Sequence, residues 1–122
     1  MRHITPGTVS VNDIQQLLLG GIGPRPIALV STVSPDGICN LSPFSFFNAF
    51  GANPPTVAFS PARRIRDAST KDTYHNLTAT GECVIQAVTY PMVQQVSLAS
   101  SEYPSNVDEF IKTGLTPIPS DL

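Results

Sequence analysis

Residues 40–50 read NLSPFSFFNAF, and they hold four of the chain's six phenylalanines within seven positions. A buried strand alternates its apolar residues or runs continuously in Val and Ile. Here Ser42, Pro43, Ser45 and Asn48 interrupt the aromatics, so the stretch reads as the lining of something rather than as strand filler. Backbone groups and small hydroxyls along such a segment can face one edge of a flat heterocycle while phenylalanine rings keep water from its face. The other reading is that Phe44, Phe46, Phe47 and Phe50 plug a barrel end or a subunit interface, because aromatics mostly serve cores.

The flanks frame this segment with strands. RPIALVSTV (25–33) is β-branched and apolar, SPDG (34–37) is a turn by composition, and ICNLS (38–42) leads back, which predicts a hairpin. Downstream, Asn53-Pro54-Pro55 punctuates the chain before a third strand over TVAFS (56–60), and CVIQAV (83–88) is a fourth. Ser10 and Asp13 have capping-box spacing ahead of a helix over VNDIQQLLL that Gly20-Gly21 stops. A second helix is predicted over KDTYHNLTATG, with Asp72 as its cap and Gly81 as its end. Two short helices follow, over MVQQVSLA after Pro91 and over VDEFIKT, the latter capped by Ser105 or Asn106 and stopped by Gly114.

Four strands with long connections predict a mainly β, α+β fold, an antiparallel barrel or sandwich with helical insertions. Four strands also leave sheet edges exposed, which calls for further strands or a second subunit. The final LTPIPSDL is polar and proline-punctuated, like a loop on its way to another strand. The chain is therefore expected to stop early.

The 122 residues suit one domain, spanning 1–122, and a 41% hydrophobic, 13% charged composition is that of a folded protein. No apolar run approaches the roughly 20 residues of a membrane span, and MRHITPGTVS has no apolar signal region. A cytoplasmic protein is expected, with the Asn76-Leu77-Thr78 sequon left unmodified. Cys39 and Cys83 lie far apart in apolar stretches with only two histidines for company, which predicts reduced core thiols and no metal site. The formal net charge of −2 argues against non-specific nucleic-acid binding.

That charge is unevenly spread. Arg63, Arg64, Arg66 and Lys71 are four of the seven basic residues and fall within nine positions that hold one acid, Asp67. A locally positive segment running into a helix N-terminus, where free N–H groups and the helix dipole meet it, suits a phosphate. It also reads as a solvated loop whose arginines pair with nearby acids.

Taken in order, RPIALVSTVSPDG, NLSPFSFFNAF, NPPTVAFSP and KDTYHNLTATGECVIQAV resemble the flavin reductase-like family of FMN-binding split barrels. That group includes flavoredoxin and the reductase components of two-component flavin monooxygenases. The resemblance implies an antiparallel Greek-key split β-barrel with short helices. It implies that Asn40, Leu41, Ser42, Pro43, Phe44 and Ser45 line the flavin, with Thr32 and Ser60 nearby. Lys71, Asp72 and Thr73 would hold the FMN phosphate, helped by Arg64 from the preceding loop. A homodimer with flavin near its interface is implied as well. So is reduction by NADH or NADPH, with electrons passed to a monooxygenase or other acceptor protein, or reduced flavin released. Family members run on for several more strands, so this chain is expected to be the N-terminal portion of the domain. An FMN-bound electron carrier without NAD(P)H activity, or an inactive flavin-binding fragment, are the alternatives. No catalytic acid or base is expected, since hydride transfer is the cofactor's own chemistry, and His75 reads as structural.

Overall fold

A computed structural model of the protein describes residues 3–5 and 7–121. The expected 1–122 span thus reaches outside the described residues at Met1, Arg2, Pro6 and Leu122. In chain order the elements are α1 (Val11–Gly21), β1 (Ala28–Val33), β2 (Cys39–Phe44), β3 (Phe47–Ala52), β4 (Pro55–Phe59), α2 (Asp72–Thr80), β5 (Val84–Ala87), a 3₁₀ turn (Tyr90–Met92), α3 (Val93–Ala99) and α4 (Glu109–Thr113).

The predicted hairpin forms where the turn residues put it. The Gly37 amide donates to the Ser34 carbonyl at 2.9 Å, and Gly37 takes φ +82°, a conformation a side chain would strain. Antiparallel pairing then sets Val33 opposite Cys39 and Ala28 opposite Phe44. β5 pairs antiparallel with the other edge of β1, so the sheet order is β2-β1-β5. As the central strand, β1 is buried on both faces along its apolar start, Ala28, Leu29 and Val30. Leu29 packs with Leu41, Val96, Ala99 and Phe110 on the side covered by α3 and α4. Ala28 and Val30 pack with Phe44 on the other side, against Phe47, Phe59, Cys83 and Ile85.

The aromatic segment departs from its sequence reading. Phe47–Ala52 is a strand, and it pairs with β4 from Phe47 opposite Phe59 to Ala52 opposite Pro55, with an irregularity between Ala49 and Gly51. Pairing with a partner strand outweighs the local composition that argued against a strand. The described residues therefore hold five strands rather than four. They form two open antiparallel sheets, a three-stranded sheet and the two-stranded β3–β4 ribbon. Phe44 joins the two through a 5.2 Å ring contact with Phe59.

Two helix caps differ from expectation as well. α2 opens at Asp72 as expected, but Lys71 rather than Asp72 holds the cap position and makes no side-chain capping bond. α4 is capped by Asp108, whose carboxylate accepts from the Phe110 amide at 2.8 Å, not by Ser105 or Asn106. The Ser10 cap of α1 is as predicted, accepting from the Asp13 amide at 3.1 Å. Cys39 and Cys83 are free and half-buried against opposite faces of the sheet, and burial pushes both thiols up.

Much apolar surface stays uncovered. α1 buries none of its residues, and nearly every residue of the β3–β4 ribbon is exposed, Phe50 at 72%. An isolated two-stranded ribbon is marginal in water, so this one needs a neighbour.

Candidate functional site

The basic loop, the start of α2, β2, α1 and the segment after α3 enclose a cleft of about 530 Å³. Of the residues singled out from sequence, Asn40, Ser42, Arg64, Lys71, Asp72 and Thr73 come together on its wall. The others do not line it. Leu41 is fully buried in the core beneath α3 and α4. Thr32 is buried behind Asn40. Pro43 and Phe44 lie in β2, where Phe44 carries the Lys71 ammonium 5.1 Å from its ring centroid. Ser60 is exposed, its amide donating to the Phe46 carbonyl at 2.9 Å. Ser45 accepts from Arg25 at 3.4 Å.

The cations of the basic loop divide into two kinds. Arg63 donates to the Ala68 carbonyl at 2.8 Å, and Arg66 bonds Asp67 at 3.0 Å and Glu102 at 2.9 Å. Asp67 is in turn held well below the usual carboxylate range by Ser69 and Arg66. Arg64 donates to the Thr70 carbonyl at 2.5 Å and pairs with Asp72 at 3.3 Å and Glu102 at 3.7 Å. These three arginines shape the loop, as the solvated-loop reading expected. Lys71 is different. Its ammonium makes no hydrogen bond or ion pair among the described residues, although it is half-buried. Burial and the neighbouring Arg64 charge pull its pKa down. An incompletely compensated cation beside the uncapped N-terminus of a nine-residue helix attracts an anion.

Asn40 centres a polar network at the back of the cleft. Its Oδ1 accepts from Thr73 Oγ1 at 2.8 Å and from Thr32 Oγ1 at 3.4 Å, while Asn76 Nδ2 donates to that threonine hydroxyl at 3.0 Å. The Thr73 hydroxyl is thus committed to Asn40. Asn40 Nδ2 donates to Glu109 Oε2 at 2.6 Å, and the same oxygen accepts from the Leu41 amide. Glu109 is only 7% exposed. Burial pushes its carboxyl up to about 7; the Leu41 amide offsets part of this, Asp72 and Asp108 add to it, and Lys71 opposes it. Sequence reasoning missed Glu109. Its partners lie 68 and 69 positions away, and within VDEFIKT it looks like any helix-opening acid.

A second cavity of about 400 Å³ lies alongside, and Asn40, Asp72 and Glu109 line both. His75 and Asn76 line the second cavity. The His75 Nε2 lies 2.6 Å from Thr70 Oγ1, which makes it part of the loop scaffold. Sequence reasoning also passed over Arg25. It donates to the Leu19 carbonyl at 2.8 Å and to the Ile22 carbonyl, and it lies 5.5 Å from the Phe46 ring centroid. It thereby ties the end of α1 to the aromatic segment.

Residues 21–122 match the family model described as the flavin reductase like domain. An uncharacterized protein of Aquifex aeolicus is 42% identical over 106 residues, which are 87% of this chain and 54% of that protein. The nitrilotriacetate monooxygenase component B of Bacillus cereus has a crystal structure similar to all of this chain and to 59% of its own, with a TM-score of 0.92 and 34% identity. A putative flavin reductase with a split barrel domain from Shewanella frigidimarina is similar over 99% of this chain and 60% of that one, with a TM-score of 0.75 and 25% identity. The chain spans about half the length of the curated relatives it matches. The antiparallel strands with short helices are those of the split-barrel flavin reductases over part of their length, and with a family match across residues 21–122 the chain belongs to the flavin reductase like domain family.

Proposed function

We propose that this protein binds FMN in the 530 Å³ cleft and acts as an NAD(P)H-dependent flavin oxidoreductase. The observation that carries this reading is Lys71, a half-buried cation without an ion-pair partner among the described residues, at the start of α2 on the wall of a cleft large enough for an organic cofactor. Family membership supports the choice of flavin. The residues suit the group: Lys71 and the first turn of α2, at Asp72 and Thr73, would hold the phosphate, with Arg64 beside them. Asn40, Ser42 and Phe46 would meet the ring system. Thr32, Leu41, Pro43, Phe44, Ser45 and Ser60 would act from behind or beside that wall, through backbone groups or by holding its residues in place.

Bound FMN would supply the redox chemistry, accepting hydride from NADH or NADPH and passing electrons to an acceptor protein or leaving reduced. The protein's task is then to bind, orient and exclude water, and no side chain need move a proton. A monooxygenase is the acceptor we favour, on the likeness to a monooxygenase component B. The setting is cytoplasmic in this reading, and no helix among the described residues is long and apolar enough to cross a membrane. Anaerobic addition of NADH or NADPH to the FMN-loaded protein should bleach the flavin absorbance band in a stopped-flow trace. An unbleached band would instead support an electron carrier that lacks pyridine-nucleotide activity.

The exposed β3–β4 ribbon and the uncovered face of α1 support a homodimer in the same reading. Sedimentation equilibrium of the FMN-loaded protein should give twice the 13.0 kDa chain mass. A clean monomer at micromolar concentration would remove this part of the proposal.

A further inference from the structure

We propose that Glu109 is a positioning residue of the cleft: reaching across from α4, its carboxylate locks the Asn40 carboxamide in one orientation and so fixes the β2 wall that meets the flavin ring. The inference rests on the reading that this cleft binds flavin.

The geometry is specific. The Asn40 oxygen accepts two threonine hydroxyls, from Thr73 at 2.8 Å and Thr32 at 3.4 Å, while its nitrogen donates to Glu109 at 2.6 Å. Flipping the carboxamide would set its oxygen against the carboxylate, acceptor against acceptor. Thr32 is held in its donating role because its own oxygen accepts from Asn76 at 3.0 Å. With Glu109 ionised the network therefore admits one orientation, and in it the second N–H of Asn40 has no partner among the described residues. Asn40 lines the cleft, so this donor is available to a ligand. Glu109 Oε2 also takes the Leu41 amide, which pins backbone and side chain at successive positions of β2 with a single atom.

A carboxylate in this place costs desolvation, and the two N–H donors offset it. The charged groups around it are Lys71 and Asp72 at the start of α2 and Asp108 at the start of α4, with His75 of α2 on the wall of the shared second cavity. Because the carboxyl titrates near 7, its protonation state alters the partner that Asn40 feels. A side chain that merely filled space would leave Asn40 insensitive to pH.

The test uses riboflavin, which lacks the phosphate and so leaves the Lys71 contact out of the comparison. Glu109→Gln keeps an acceptor oxygen for both N–H groups and should bind riboflavin within about threefold of wild type. Glu109→Ala removes it and should weaken binding by about tenfold or more, the equivalent of one hydrogen bond. If Glu109 acts through Asn40, the Asn40→Ala/Glu109→Ala double variant should bind no worse than Asn40→Ala alone. Additive losses, or an alanine variant within threefold of wild type, would overturn the proposal.

Should Glu109→Ala fail to fold, NMR of the ligand-free protein decides. The Asn40 side-chain NH₂ and Leu41 amide resonances should shift in a transition centred near pH 7, and that transition should vanish in Glu109→Gln. Its persistence there would assign it to another group and refute the role of Glu109, as would its absence from wild type. A wild-type protein that bound neither FMN nor riboflavin would overturn the proposed function and the flavin part of this inference together. The ligand-free titration distinguishes that outcome, since it reports on Glu109 and Asn40 alone.

Discussion

Replacing Lys71 by alanine should weaken FMN binding by roughly tenfold to a hundredfold while leaving riboflavin almost unaffected. The magnitude follows from hydrogen bonds to a charged group, worth about 1.5–3 kcal/mol each, at about 1.4 kcal/mol per decade of affinity. Lys71 is the appropriate residue to remove because, apart from its contact with the Phe44 ring, its ammonium makes no hydrogen bond or ion pair among the described residues. Its loss strands no carboxylate and breaks no loop bond. Arg64 is a poorer probe. Arg64→Ala would free Asp72, leave Glu102 to Arg66 alone and detach the Thr70 carbonyl, so any loss of binding would mix contact with collapse of the loop. The paired measurement on riboflavin supplies the control for Lys71. A folding defect weakens both ligands together, so equal losses by fluorescence titration would sink the phosphate assignment even if the variant bound FMN poorly. If the lysine were only part of a solvated surface, neither ligand should change by more than a few tenths of a kcal/mol.

Leu41→Ala should lower stability by about 2–5 kcal/mol, a large share of the roughly 5–15 kcal/mol that holds a typical domain folded. The side chain is completely buried, packed with Leu29, Val96, Ala99 and Phe110. Those contacts attach α3 and α4 to the three-stranded sheet. The cavity left by three missing carbons would loosen α4, and with α4 goes Glu109, whose oxygen holds the Leu41 amide and the Asn40 carboxamide. The expected readout is a fall in Tm on the order of 10 °C, accompanied by loss of the Asn40–Glu109 bond. Ile111→Ala, on the same helix but 79% exposed, should melt within a degree or two of wild type. If both variants melted alike, α4 would not be docked through Leu41.

The same residue shows why the site was only partly legible. From sequence, Leu41 falls in the middle of the segment that the resemblance assigns to flavin. In the folded chain its side chain points to the opposite side of β2, because successive residues of a strand face opposite ways and the α3–α4 layer supplies a core there. Asn40 and Ser42, its neighbours on either side, line the cleft. The alternation is local knowledge, but which face would be core depended on where two later helices dock. Phe47–Ala52 illustrates the same limit. Interrupted by Asn48 and Gly51, it has no strand signature of its own, and its partner β4 supplies the pairing that makes it one.

The features that sequence alone determined are those whose causes lie within about four residues. Ser10 with Asp13 begins α1, Gly37 turns the hairpin, and Gly81 and Gly114 end α2 and α4 at φ +78° and +70°. In each case a capping oxygen or a missing Cβ acts on the backbone beside it. The resemblance, carried by ordered short motifs, likewise needed no coordinates to point to the family. Tertiary structure alone decided that Arg63, Arg64 and Arg66 are occupied by the loop and by Glu102 while Lys71 is left without an ion-pair partner among the described residues. It alone decided that the Thr73 hydroxyl serves Asn40, and that Glu109 joins the site from 69 positions away. The reason is physical: desolvation and hydrogen-bond commitment depend on every atom within a few ångströms, and folding draws those atoms from all parts of the chain.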